Sequence, residues 1–323
     1  MKHVTKLKRR PEFKYWKEVN SQAIQDIVER IDFGYKKFFR KENKRPPTFR
    51  KLRKFKSFKL KQTGYKFHGN NKVTIQGKEY KYFKSREIGG NVKTVVVKRD
   101  TLGDIFLFIT TSIGIESERY STTSRTAGFD FGLKTFLVGS DSTEIESPLF
   151  YKQVLQSKRE LSRRLSRKKK GSNNRRKARI NLARLDKTTV NRRRDWMFKL
   201  ARKLCYKYSV ISLETLSLKS MIEKWGRKVL DLALAEFIQI LKYIATKFST
   251  KLIFVDKWFP STKKCSSCGY LNQDLGLGDR EWICPSCNTS HNRDVNAAIN
   301  INREGTSSLK VGDVRLPLEA VSV

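Results

Sequence analysis

The chain has 323 residues, 38% hydrophobic and 11% aromatic, which is enough for two or three folded modules and excludes wholesale disorder. Lys and Arg number 70 against 31 Asp and Glu, a net of +39; such an excess repels itself and calls for a polyanion, nucleic acid first among them. A membrane partner is disfavoured, because the longest apolar stretch, Val229 to Ala245, is broken by Asp231, Glu236 and Lys242 and is too short to span a bilayer.

Met1 to Lys14 is basic with no apolar run behind it, so no signal peptide is visible and an intracellular, cytoplasmic protein is expected. Residues 1–17 read as extended. From Glu18 to Phe39, Ile24, Ile27, Val28, Ile31, Tyr35 and Phe38 recur at helical spacing, with Asn20 or Ser21 as cap. Pro46 and Pro47 end that region. Residues 55–113 alternate in short runs: Ser57–Leu60, Tyr65–His68, Lys72–Ile75, Glu79–Phe83, Val92–Val97 and Ile105–Thr111. Glycines punctuate them, a strand-and-turn pattern that predicts a small barrel or sandwich. Its outward lysines suit either a backbone-gripping surface or an ordinary β domain with blunted edges.

Ala127 to Gly139 predicts two short strands and a turn. Lys152 to Arg179 holds thirteen Lys or Arg and one acid, Glu160, over a weak Leu155–Leu161–Leu165 seam. Gly171–Asn174 interrupts it and a second helix runs on toward Cys205. With so little acid to pair with, this basic hairpin is expected to contact phosphates rather than only solvent. The residues expected to do so are Lys158, Arg159, Arg163, Arg164, Arg167, Lys168, Lys169, Arg175 and Arg176, with Arg293 farther on. Val210–Glu214 reads as a strand. Leu230, Leu234, Phe237, Ile238, Leu241, Ile244 and Phe248 predict one long amphipathic helix. Lys251–Val255 reads as another strand, a last helix is expected from about Asp294 to Asn302, and residues 304–323 read as a loose tail.

Two signals carry chemistry. Cys265 and Cys268 form one CxxC pair, Cys284 and Cys287 a second, fifteen residues apart. That is the spacing of a tetrahedral four-thiolate zinc site, structural because no ligand position is left open. Cys205 stands alone. His291 lies near the ribbon and is expected at the surface or facing nucleic acid. The second signal is three acids: Asp130 in Gly-Phe-Asp-Phe-Gly, Glu214 ending Val-Ile-Ser-Leu-Glu, and Asp294 in His-Asn-Arg-Asp-Val-Asn-Ala-Ala. Acids at two strand ends and one helix start can converge above a sheet and hold two Mg²⁺ for phosphodiester hydrolysis. Taken singly, Asp130 also reads as a turn residue, Glu214 as a salt-bridge partner and Asp294 as an N-cap. Asp256, ending Phe-Val-Asp, competes for the same role.

These pieces, in this order, resemble the TnpB (OrfB) proteins of bacterial and archaeal insertion sequences, compact relatives of the type V CRISPR nucleases. Gly-Phe-Asp-Phe-Gly-Leu-Lys-Thr-Phe looks like the first nuclease motif and Ser-Leu-Glu-Thr-Leu like the second. Phe-Pro-Ser-Thr-Lys-Lys-Cys-Ser-Ser-Cys-Gly and Arg-Glu-Trp-Ile-Cys-Pro-Ser-Cys look like the ribbon, and His-Asn-Arg-Asp-Val-Asn-Ala-Ala-Ile-Asn-Ile like the third motif. The likeness covers 126–302 and is looser over 11–60, through Tyr-Trp-Lys-Glu-Val-Asn-Ser-Gln-Ala. It implies a mixed α/β, multidomain chain. Residues 1–50 would be a partial helical recognition region and 51–125 a wedge-like β-barrel. Residues 126–258 would form an RNase H-like RuvC core with the basic hairpin, 259–290 an inserted zinc ribbon, 291–303 the final RuvC helix and 304–323 the tail. It also implies an RNA-guided, metal-dependent DNA endonuclease of a transposable element. Asp130, Glu214 and Asp294 would hold Mg²⁺ and the four cysteines Zn²⁺. Guide RNA and target DNA would be partners, with a separate transposase acting on the same element. Relative to the family's usual order the chain begins almost at the Tyr-Trp-Lys-Glu-Val segment, so no flanking-motif residues carry over. The alternatives are a non-cleaving or decayed RNA- and DNA-binding protein, or a strand-joining transposase.

Overall fold

The computed structural model describes residues 2–49, 54–112, 124–276 and 278–310. It divides into two compact units, Met1–Ile115 and Glu116–Val323.

The first unit opens with α1 (Lys2–Leu7), a 3₁₀ helix over Pro11–Glu18 and α2 (Ser21–Phe39). The extended reading of residues 1–17 is therefore corrected. Pro11 sits in the first helical turn, where its missing N–H costs nothing, and Phe13 packs on Trp16 with ring centroids 5.1 Å apart. Of the two candidate caps, Asn20 does the work: its Oδ1 accepts from the Gln22 N–H at 2.9 Å. The strands are β1 (Ser57–Leu60), β2 (Tyr65–His68), β3 (Lys72–Ile75), β4 (Lys78–Lys81), β5 (Asn91–Arg99) and β6 (Ile105–Ser112). They form two three-stranded antiparallel sheets, β1-β5-β6 and β2-β3-β4. The domain is a small sandwich about Leu60, Val73 and Ile75 rather than one closed barrel. α2 lies against β1, where buried Asp26 meets Lys59 at 3.5 Å.

The second unit holds β7 (Thr126–Asp130), β8 (Thr135–Gly139), β9 (Glu144–Glu146), α3 (Phe150–Ser166) and α4 (Asn173–Lys207). There follow β10 (Val210–Glu214), α5 (Leu218–Trp225), α6 (Arg227–Leu232), α7 (Leu234–Phe248), β11 (Lys251–Val255), β12 (Glu281–Ile283), β13 (Ser290–Asn292) and α8 (Arg293–Lys310). Five strands make one sheet in the order β11-β10-β7-β8-β9. β7, β10 and β11 run parallel, while β8 and β9 return antiparallel. The long helix expected across 230–248 is split into α6 and α7 at Ala233, which takes a left-handed φ of 48°.

Alternation along the strands sorts the sheet into two faces. Ala127, Phe129, Ile211 and Leu213 point into the main core with Met197, Leu204, Phe237, Leu241 and Ile244 from α4 and α7. Each of these buried Phe, Ile, Leu and Met side chains contributes roughly 1.5–3 kcal/mol. The intervening residues Gly128, Asp130, Ser212 and Glu214 face α8. The helix comes unusually close there: a Cβ on Gly128 would lie 2.3 Å from the Ala298 carbonyl, and one on Gly305 would lie 2.2 Å from Ser212 Oγ. One glycine on the strand and one on the helix thus set the depth at which α8 beds onto the sheet. α8 runs on to Lys310, so residues 304–310 are helix rather than tail.

Candidate active site and metal centre

The carboxylates come together through register. β10 and β7 pair Ser212 with Gly128 and Leu213 with Phe129, so the next step along both strands sets Glu214 beside Asp130. Ala298 lies over Gly128, and Asp294 is one helical turn earlier on the same side of α8. That offset carries Asp294 toward Asp130, two residues beyond Gly128. The electrostatics agree. Burial, then the charges of Glu214 and Asp294, push Asp130 from its ordinary 3.8 up to about 7. Burial also raises Glu214. Carboxyl groups that resist ionising together form a site at which a cation would relieve the repulsion.

Hydrogen bonding settles the alternative readings of Asp294 and Asp256. Asp294 is not the cap of α8, because Asn292 Oδ1 accepts from the N–H groups of Asp294 (3.1 Å) and Val295 (3.2 Å). Asp256 is exposed and accepts from the Trp258 N–H at 2.7 Å, which closes a turn beyond β11. Asp294 also has partners that the sequence did not reveal. Arg280, from the ribbon, donates to its Oδ2 at 2.6 Å, and Arg293 Nε lies 3.3 Å from Oδ1.

The four cysteines form the compact ligand cluster among the described residues, with all Sγ atoms within 4.8 Å of one another. Such a cluster can hold a metal ion. Each CxxC knuckle closes in the same way: Gly269 N donates to Cys265 O at 3.0 Å, and Asn288 N to Cys284 O at 2.8 Å. Both closing residues sit at positive φ, +84° and 55°, as only Gly and Asn do readily. Hydrogen bonds from Thr289 hold the Cys287 thiol down at about 6. His291 is not a surface residue. It is buried, its ring packs tilted against Trp282 with centroids 4.8 Å apart, and Nε2 lies 3.0 Å from Cys265 Sγ. Its place in the β12–β13 pair, opposite Trp282, turns it inward.

Two buried asparagines, which the sequence marks only as parts of a motif, join α8 to the ribbon. Asn296 Oδ1 accepts from Ser266 N at 2.8 Å, and its Nδ2 donates to Lys264 O at 2.8 Å. Asn300, one turn on, donates to Ser261 O at 2.8 Å and Lys264 O at 2.6 Å. An Asn four residues after another on one helix face was the available signal.

The basic hairpin forms as expected, α3 against α4, with Ser172 capping α4 by accepting from Arg175 N. Arg159, Arg163, Arg164, Arg167, Lys168, Lys169 and Arg176 are exposed. The other three residues expected at phosphates also have partners within the protein. Arg175 donates to the Leu165 and Lys168 carbonyls at 2.7 and 3.0 Å and closes the hairpin turn. Lys158 pairs with Asp186 at 2.7 Å, and Arg293 faces Asp294. No helix among the described residues is long and apolar enough to cross a membrane.

Two family models match the chain: OrfB_IS605, described as "Probable transposase", over residues 108–224, and the Cas12f1-like TNB domain over 235–301. A Streptomyces pristinaespiralis protein whose name includes the words RNA-guided DNA endonuclease is 28% identical over 316 residues, 96% of this chain and 78% of that protein. InsQ of Escherichia coli K12, named with the same words, is 26% identical over 94% of this chain and 79% of its own. A cryo-EM structure of a Cas12f1–sgRNA–target DNA complex aligns at TM-score 0.49 and 19% identity, over 65% of this chain and 45% of that one.

Proposed function

We propose that this chain, which belongs to the TnpB (OrfB) family, is an RNA-guided, metal-dependent DNA endonuclease with an RNase H-like RuvC core. The observation that carries this reading is the carboxylate cluster at the C-terminal ends of parallel strands β7 and β10, beneath the first turn of α8. The strand order, three antiparallel strands followed by two parallel ones, suits that core. Asp130, Glu214 and Asp294 would hold Mg²⁺, whose ions supply Lewis acidity for phosphodiester hydrolysis when bound. The residues' own contributions follow from their surroundings. Asp130 gives up its proton near neutral pH. Glu214 is held at a fixed register beside it by the sheet. Arg280 and Arg293 hold Asp294 and bring positive charge to the place a phosphate would occupy.

The four thiolates would hold zinc. Cys265 to Cys287 and Cys268 to Cys284 are 3.7 and 3.6 Å apart, close to the roughly 3.8 Å edge of a tetrahedron with ~2.3 Å Zn–S bonds. The apolar core of the ribbon beyond its cysteines is Leu275 and Trp282, too small to order the segment without metal. Guide RNA and target DNA are the proposed partners. The exposed side chains of the hairpin suit backbone contact with a duplex whose sequence is read by base pairing.

The test is expression of the full chain with RNA from its own locus, sequencing of co-purified RNA, and plasmid cleavage in Mg²⁺. Wild type should cut, and Asp130→Ala and Asp294→Ala should each reduce cleavage by two orders of magnitude or more while retaining RNA. Identical products from all three would refute the nuclease site. Strand-joined products would favour a transposase.

A further inference from the structure

The chain leaves Trp258 81% exposed. Single exposed apolar residues are ordinary, so the surroundings must decide whether this one has a task. Trp258 lies three residues past Val255, which ends β11 opposite Glu214 in the parallel register. The Thr215 N–H donates to Val255 O at 2.9 Å, which ties the ends of the two strands together. The loop that carries Trp258 then leaves the sheet toward α8, where Asn300 holds Ser261 O. Asp130 and Glu214 face α8 as well, so the loop that carries Trp258 leaves from the sheet end at which Glu214 stands and runs to the helix that the carboxylates face.

Its backbone is fixed. Asp256 Oδ1 accepts the Trp258 N–H, and the Phe259 N–H donates to Asp256 O at 3.1 Å. Lys257 Nζ lies over the indole, 4.7 Å from the ring centroid, so a cation backs the ring while the exposure of Trp258 leaves ring surface in solvent. Lys264 Nζ lies in the same way over Phe259, at 5.5 Å. Flat aromatic surface, immobile backbone and flanking ammonium groups are the chemistry that takes an unpaired nucleotide, with the base on the ring and the phosphate at the amine.

We propose that Trp258 is a positioning residue that stacks an unpaired base of the single DNA strand entering the carboxylate site, with Lys257 at its phosphate. This rests on the nuclease reading above. By fixing a nucleotide next to the scissile bond, Trp258 would act on how well the strand is held more than on the chemical step.

The test uses the full chain with its co-purified RNA and single-stranded DNA carrying 2-aminopurine, moved one position at a time. Wild type should quench the probe at one or two adjacent positions. Trp258→Phe should keep most of that quenching and Trp258→Ala should abolish it. In cleavage, Trp258→Ala should raise KM by about 5- to 100-fold, the span expected when one base stack is removed, with kcat changed less than about twofold. A strand with an abasic site at the quenched position should give wild type and Trp258→Ala the same KM, a result that a merely misfolded variant would not produce. Equal quenching by wild type and Trp258→Ala would overturn the assignment, as would quenching confined to RNA. Cleavage by wild type without any Trp258-dependent quenching would sink this inference and leave the nuclease reading standing. Trp258-dependent quenching by a wild type that does not cut would do the reverse.

Discussion

At the scale of single residues, Asp130 makes the sharpest statement. Its carboxyl is raised from 3.8 to about 7 by burial and by the neighbouring acids. A raised acid favours its protonated form in the fold, so this site's stabilising effect is full below about pH 4 and is lost as pH climbs through about 7. The span corresponds to at most about 4 kcal/mol. In Mg²⁺-free buffer without chelator, urea melts of the zinc-loaded wild type should therefore show falling stability between pH 5 and 8, and Asp130→Asn should flatten that profile. Parallel profiles for the two proteins would show that Asp130 does not sit against Glu214 and Asp294 as described. Glu214, raised by burial, should respond to Glu214→Gln in the same direction. The three acids were legible in the sequence because apolar strands ended on two of them and a helix pattern began on the third. Arg280 and His291 were not, because Arg280 reaches its partner from a ribbon bend and His291 from a three-residue strand, both too short to show periodicity.

Among elements, α8 does most of the positioning, and its polar face shows how. Asn296 satisfies the Ser266 N–H, which would otherwise be left without its partner at the ribbon junction, and shares the Lys264 carbonyl with Asn300. Asn296→Ala strands the Ser266 N–H, at about 1–3 kcal/mol. We expect a lower thermal midpoint and faster zinc loss to a chelator, read by a colorimetric zinc indicator, with RNA retained. Unchanged zinc release would show that the asparagine does not hold the ribbon to the helix. Strand positions were well marked: five strands, Ser57–Leu60, Tyr65–His68, Lys72–Ile75, Val210–Glu214 and Lys251–Val255, lie where the apolar runs and turns put them. The failures differ in cause. The 3₁₀ turn follows from Pro11 and the Phe13–Trp16 contact within it, whereas the break at Ala233 and the helical residues past Asn302 leave no mark in the periodicity. The two-sheet arrangement is decided by which strands pair, which alternation does not encode.

For the whole molecule, the net charge of +39 announced a polyanion, and the structure divides those cations into two kinds. Arg175 is committed to two carbonyls of its own hairpin, whereas Arg163, Arg164, Arg167, Lys168 and Lys169 stand exposed around the turn. Composition cannot separate them, since the difference lies in where each side chain ends. It can be measured, because a cation that binds phosphate releases counterions and one bound to its own backbone does not. Replacing Arg163, Arg164 and Arg167 by Ala should weaken RNA binding and make the dependence of log Kd on log salt shallower by roughly 0.7–0.9 for each phosphate no longer neutralised. The thermal midpoint should hold. Arg175→Ala should do the opposite, lowering the midpoint by the cost of uncapping the hairpin, with a salt slope close to wild type. If Arg175→Ala flattened the slope as much as the triple variant, the guanidinium would have to leave its carbonyls for the phosphates when RNA binds. The hairpin turn would then be rebuilt in the complex.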